Sequence, residues 1–286
     1  GYHGWHDWYI GTTTRNLGVP KVIQDLSSKF IFNDPDSLES LLKADPNGFA
    51  AVILEPSGVC EPENGFLERV RELCDQYGVV LVFDEIVTGF RINMGGAQKK
   101  YGVTPDLSSF GKSMANGMPI SAIVGKFEIM KLMDDIFFSG TFGGETLSLA
   151  AALATITKLE KINAPEIFER TGRNMHVAVQ NMITDFDLND TVSVSGVDWW
   201  PRIVIKAHGK SSQIEMTTLL RQELIEHGIF MGGGFNLSVA HSDEDVFSET
   251  LYGIGQSFEK FSTYLKSGNP MSNLRGKLIE PVFKVR

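Results

Sequence analysis

The chain has 286 residues, 42% of them hydrophobic and 21% charged, enough for one large domain and a smaller one around ordinary apolar cores. A net charge of −9 without any Lys/Arg cluster argues against a nucleic-acid partner. No apolar run approaches the roughly 18 residues of a membrane span, and two cysteines, Cys60 and Cys74, in no metal or redox spacing suit a reducing, cytoplasmic setting.

The chain starts at Gly1 without Met and runs at once into YHGWHDWY, so it reads like the middle of a longer protein. AAVILEP (50–56) predicts a buried strand stopped by Pro56, which cannot continue a central ladder. NGFLERVRELCDQYG (64–78) predicts a helix, because Phe66, Leu67, Val70, Leu73, Cys74 and Tyr77 recur at helical spacing and Gly78 supplies the stop. VVLVFD (79–84) is the next strand, followed by a glycine-rich connection through Gly95 and Gly96 and a short helical AQKKYG. DLSSFGKS and SAIVG are two more short segments, and ETLSLAAALATITKLEKI (145–162) is an Ala/Leu-rich helix ending near Pro165. Near-continuous apolar strands alternating with helices predict a mostly parallel sheet covered on both faces.

Beyond about residue 165 the pattern changes to a smaller α+β unit. A helix over 166–184 precedes the strands TVSVSGV and RIVIKAH, the helix QIEMTTLLRQELIEHG, a strand-like FNLSVAH and a last helix over 243–266.

The strand ending in Asp84 and Glu85 poses the chemical question, since a carboxylate pair at the tip of a buried strand needs a cation or a set of donors. A nucleotide-hydrolysing reading would use Gly111-Lys112-Ser113 as the tail of a phosphate loop. It fails, because the first glycine of that loop would fall where Asp106 stands. A different reading pairs Asp84 with Lys112, one strand-to-strand crossover downstream, both at the carboxyl ends of parallel strands. A lysine there can form a Schiff base with an aldehyde cofactor, and Asp84 can keep the ring nitrogen of pyridoxal 5'-phosphate protonated.

These residues carry a resemblance. YHG (2–4), VILEP (52–56), LVFDEIVTGFR (81–91), GGAQKKYGVTPDLSSFGKSMANGMPISAIVG (95–125), GTFGGETLSLAAA (140–152) and LSVAHSDEDV (237–246) stand in order along most of the chain. The chain resembles the class III (fold-type I) pyridoxal-phosphate aminotransferases, most closely the branch like glutamate-1-semialdehyde aminomutase. The resemblance implies a three-layer α/β/α large domain over residues 1–164, truncated at its N-terminus, and a small α+β domain over 165–286. It implies Lys112 as the Schiff-base lysine and proton carrier and Asp84 as the partner of the ring nitrogen. Tyr2 would stack on the ring with His3 beside it, Glu55 would stand near Asp84, and Val87 would lie under the ring. Thr141 would meet the cofactor phosphate from the other subunit of a homodimer.

Departures from the family bear on the substrate. The segment upstream of YHG, with its phosphate-cradling loop, is absent, so a catalytically silent piece with a binding role is one alternative. Asn236 follows Phe235 where the closest branch carries a Phe-Glu pair, which favours a transaminase over an aminomutase. Asn116 replaces a glycine after the lysine, and Glu145-Thr146 replaces an Asn-Pro. The implied reaction moves an amino group from a donor such as glutamate to a keto-sugar or semialdehyde. Arg91 and Arg15 are candidates to hold a substrate carboxylate.

Overall fold

The apolar stretches become neighbouring strands. The computed structural model describes residues 2–280. Ala51–Leu54 (β1), Val80–Asp84 (β2), Leu107–Phe110 (β3) and Ala122–Gly125 (β4) form one sheet in that order. β1, β2 and β3 run parallel and β4 returns antiparallel. The register pairs Leu54 with Phe83 and Asp84 with Ser109, so the carboxyl ends of the three parallel strands are level.

The crossover between β1 and β2 is the helix Phe66–Tyr77, which buries Phe66, Leu67, Val70, Leu73 and Cys74. Gly78 at φ 65° ends it, and the Val79 amide donates back to the Cys74 carbonyl at 2.9 Å. The helix Pro35–Ala44, capped by the Asp34 side chain on the Ser37 amide, adds Leu38 and Leu42 to the same core. Truncating a side chain as enclosed as Leu73 would cost about 2–5 kcal/mol. Burial also pushes the Cys74 thiol up to about 12, which makes it an inert part of that core.

The chain divides into two compact units, Gly1–Asn163 and Ala164–Arg286. In the second, Val192–Val197 (β5) and Trp200–Ile205 (β6) form an antiparallel hairpin closed at Asp198 and Trp199. The helices Ala164–Asp185, Gln213–Glu226 and Glu244–Lys266 enclose its core, with Met175, Met216, Phe258 and Phe261 fully buried. The helix Thr146–Lys161 ends shortly before Pro165, as expected, and Pro165 itself lies in the first turn of Ala164–Asp185, where a missing N–H costs nothing.

The strand-like reading of FNLSVAH is corrected. The Phe235 amide reaches the Pro201 carbonyl, but the Leu237 amide donates back to the Phe235 carbonyl at 2.9 Å. Ser238 and His241 then close a 3-10 turn over Val239–Ser242. Backbone donors used within the segment cannot build a ladder with a neighbour. Among the described residues, no helix is long and apolar enough to cross a membrane.

Candidate active site

Each of the three level strand ends delivers one candidate residue. Glu55 follows β1, Asp84 closes β2, and Gly111-Lys112 follows β3. Adjacent strands lie about 4.8 Å apart, so these positions are neighbours although the sequence separates them. The carboxyl edge of a parallel sheet is where such folds hold ligands.

Asp84 is only 6% exposed. Its Oδ1 accepts from the Ile86 amide at 3.1 Å and the Ser109 hydroxyl at 3.4 Å. Its Oδ2 lies 2.7 Å from Nδ1 of His3, brought in by the N-terminal segment. Among the described residues no lysine or arginine pairs with it. Tyr9 packs edge-on against the His3 ring, with centroids 5.7 Å apart. Burial pushes the Tyr9 phenol up, and the Asp84 charge adds to that.

Glu85 turns the other way, as consecutive residues of an extended chain do. It is fully buried and accepts from the Ala97 amide at 2.8 Å, the Gln98 amide at 3.1 Å and the Thr88 hydroxyl. It therefore satisfies the orphan amides at the start of the helix Gly96–Tyr101. Gly96 sits at φ 72°, and a Cβ there would lie 2.5 Å from the Glu85 carboxylate. The two adjacent acids thus have separate tasks: Glu85 builds the scaffold, and Asp84 is held at the open strand end.

Lys112 begins the 3-10 turn Lys112–Met114 at φ 40°, a left-handed conformation that costs a side-chain-bearing residue about 1–2 kcal/mol. Met114 and Ala115 anchor the turn in a small core with Phe110 and Ala152. Gly111 packs on Ile86, where an added Cβ would meet Cδ1 at 3.2 Å. The Lys112 side chain is exposed and makes no hydrogen bond or ion pair among the described residues. Arg91 reaches the same turn: Nε donates to the Val87 carbonyl at 3.2 Å and Nη2 to the Ser113 hydroxyl at 3.3 Å. Burial lowers the pKa of its guanidinium.

The remaining candidates are scattered. Glu55 is half-buried and lines a cavity of about 290 Å³ together with His3, Ser57 and Cys60. Val87 is half-buried in the turn after β2, whereas Tyr2 is 61% exposed and Thr141 is also exposed. The structure thus joins His3 to Asp84 and sets Glu55 and Lys112 at neighbouring strand ends, while Tyr2 and Thr141 remain on the surface. Tyr9 and Ser109 were not singled out from the sequence, and Ser113 entered only as the end of the rejected phosphate loop. Tyr9 stands within the aromatic run that supplies His3, and the two serines flank Gly111-Lys112.

Comparison with known proteins gives consistent findings. The family described as aminotransferase class-III matches residues 1–196. The chain is 38% identical over 255 residues to a 3-aminobutyryl-CoA aminotransferase of Cloacimonas acidaminovorans (strain Evry), covering 86% of this chain and 60% of the relative. It is 32% identical over 285 residues to a glutamate-1-semialdehyde 2,1-aminomutase of Ignicoccus hospitalis, covering 91% of this chain and 67% of that one. In fold it is similar to a transaminase solved with PLP bound, at a TM-score of 0.84 and 23% identity, over 93% of this chain and 67% of the other. The chain therefore spans 60% to 67% of the length of these proteins.

Proposed function

The chain belongs to the class-III aminotransferase family, whose cofactor is pyridoxal phosphate, and from that premise we propose that it is the cofactor-holding part of an enzyme that transfers amino groups. The reading rests on the level ends of β2 and β3, with Asp84 at one and Lys112 just past the other.

The residues present fit the cofactor. Asp84 is a buried carboxylate with no lysine or arginine partner among the described residues, which suits it to a protonated ring nitrogen. Lys112 offers an exposed primary amine that makes no hydrogen bond or ion pair among the described residues. Bound there, pyridoxal phosphate supplies an aldehyde that captures amines and a ring that draws electrons from the adjoining bonds.

The chain's own residues divide the remaining work. Asp84 holds the proton on the ring nitrogen, and His3 keeps the Asp84 carboxylate in place. Lys112 Nζ is the attachment point and, once released, takes and returns the proton at the carbon bearing the amine. Val87, Tyr2 and Glu55 would be further residues of this chain to hold the cofactor, with Glu55 just past the end of β1 beside Asp84. Thr141, exposed in this chain, serves the cofactor phosphate of the second subunit in a homodimer. Residues 1–164 form the large cofactor domain in this reading, and residues 165–286 the small domain.

The substrates are an amine donor, with glutamate the first to try, and a carbonyl acceptor such as a semialdehyde or keto-sugar. The relative named for 3-aminobutyryl-CoA supports transfer between two separate substrates, as does Asn236 beside Phe235. Relatives named as aminomutases support a second reading, isomerisation of a single substrate. Borohydride reduction in the presence of pyridoxal phosphate, followed by peptide mapping, tests the core of the reading. A phosphopyridoxyl group on the Lys112 peptide, lost in Lys112→Ala, is expected; its absence from the full-length protein would sink the assignment. Product formation without any keto acid would identify the mutase.

A further inference from the structure

The turn after β2 grips the turn after β3 at two points. Phe90, at φ 59°, packs its ring 5.6 Å from that of Phe110, and Gly89 lies so close that a Cβ there would meet Phe110 Cδ1 at 2.4 Å. One residue on, the Arg91 guanidinium spans from the Val87 carbonyl to the Ser113 hydroxyl. Between Phe110 and Ser113 stand Gly111 and Lys112, the latter in its left-handed conformation. A lysine held at positive φ relaxes to the ordinary region unless its neighbours prevent it, and relaxation would redirect Cβ and the whole side chain.

We propose that Arg91 is a positioning residue for Lys112: through Ser113 it holds the strained turn in the one geometry that presents the Lys112 amine for attachment and proton transfer. The proposal rests on the reading of Lys112 as the attachment lysine. It assigns Arg91 away from the substrate. Its Nε and Nη2 each donate to the protein, to the Val87 carbonyl and the Ser113 hydroxyl. The energetic logic is that of preorganisation, in which a misplacement on the order of 1 Å slows a reaction far more than it weakens binding.

The test compares the full-length wild type with R91M, R91K, S113A and the double variant R91M/S113A, all given pyridoxal phosphate. Two quantities are read: the rate at which borohydride-trappable cofactor appears on the Lys112 peptide, and the pH midpoint of the loaded protein's visible absorbance. R91M and S113A should each slow attachment about tenfold and move the midpoint in the same direction. The double variant should be no slower than either single one, and R91K, which keeps a donor for Ser113, should recover part of the loss. Wild-type protein lacking any adduct on Lys112 would overturn the proposal together with the reading beneath it. An adduct in wild type, with both single variants within about twofold of it, would overturn the role of Arg91 alone. Additive losses in the double variant would do the same, since Arg91 would then not act through Ser113. Should R91M fail to fold, S113A and its hydroxyl-keeping counterpart S113T decide the matter by loss and rescue.

Discussion

Nδ1 of His3 lies 2.7 Å from Oδ2 of Asp84, a contact that ties the N-terminal segment to the end of a central strand. With Nδ1 protonated, the imidazole donates to the carboxylate and fixes its orientation without cancelling its charge. Asp84→Asn should therefore lower amino transfer by at least about 100-fold, because it removes the charge facing the ring nitrogen. His3→Phe should cost about tenfold, the scale on which groups supporting a functional ligand act. Single-turnover rates measured for both variants would check the order, and equal losses would contradict it.

Tyr9 reports on the same charge. Burial raises its pKa first, and Asp84 raises it further. Removing the carboxylate charge in Asp84→Asn takes away one of these causes, so the Tyr9 phenol should titrate at lower pH in that variant. A pH titration of carbon-13-labelled tyrosine, with Tyr9→Phe to assign the signal, reads the shift directly.

Lys112→Gly should trade function for stability. Glycine takes φ 40° without the left-handed penalty, and its greater freedom in the unfolded chain returns part of the gain. A net stabilisation of about 0.5–1 kcal/mol is expected, seen as a higher denaturant midpoint, together with complete loss of borohydride labelling. A destabilised variant would show that Lys112 contributes contacts to the fold.

The two adjacent acids should separate cleanly. Glu85→Ala strands the Ala97 and Gln98 amides at the start of their helix, at a cost of about 2–4 kcal/mol. Asp84→Ala, at the open strand end, should change the melting temperature far less while removing cofactor binding. Thermal melts of both, beside cofactor titrations, test the division of labour.

Asp106 gives a pH dependence. Burial raises its pKa, but hydrogen bonds from Lys126, the Leu81 amide and Arg71 outweigh that, and the net shift is downward. The native state then holds this carboxylate ionised at pH values where the unfolded chain already protonates it. Its contribution is complete above the unfolded value of about 3.9 and is lost as the pH falls through the lower native value. Asp106→Asn should cost about 2 kcal/mol at neutral pH, and its deficit against wild type should close under acid conditions in a series of denaturant melts.

Much of the sheet was legible in the sequence because its strands are bounded by local chemistry. Pro56 ends one apolar run, Gly78 opens the next, and the helix between them shows its buried face as a plain repeat of Phe66, Val70, Leu73 and Tyr77. Asp84 was legible as the first polar residue after an apolar strand, and Lys112 from its place beside Gly111 one crossover downstream. FNLSVAH was misread because its alternation of buried and exposed residues resembles a strand, while its amides are taken up by Phe235 and the turn that follows.

What the sequence determined by itself was the family's motif order and which residues stand at the ends of which strands, since each follows from residues adjacent in the chain. Only the tertiary structure decided that Asp84 meets His3, that Glu85 turns away to cap a helix, and that Arg91 reaches Ser113. Those outcomes depend on the direction of side chains across strand and turn boundaries, and on residues such as Lys112 and Phe90 held at positive φ by packing. No local pattern encodes such a direction, because it is set by groups that come together only when the sheet has formed.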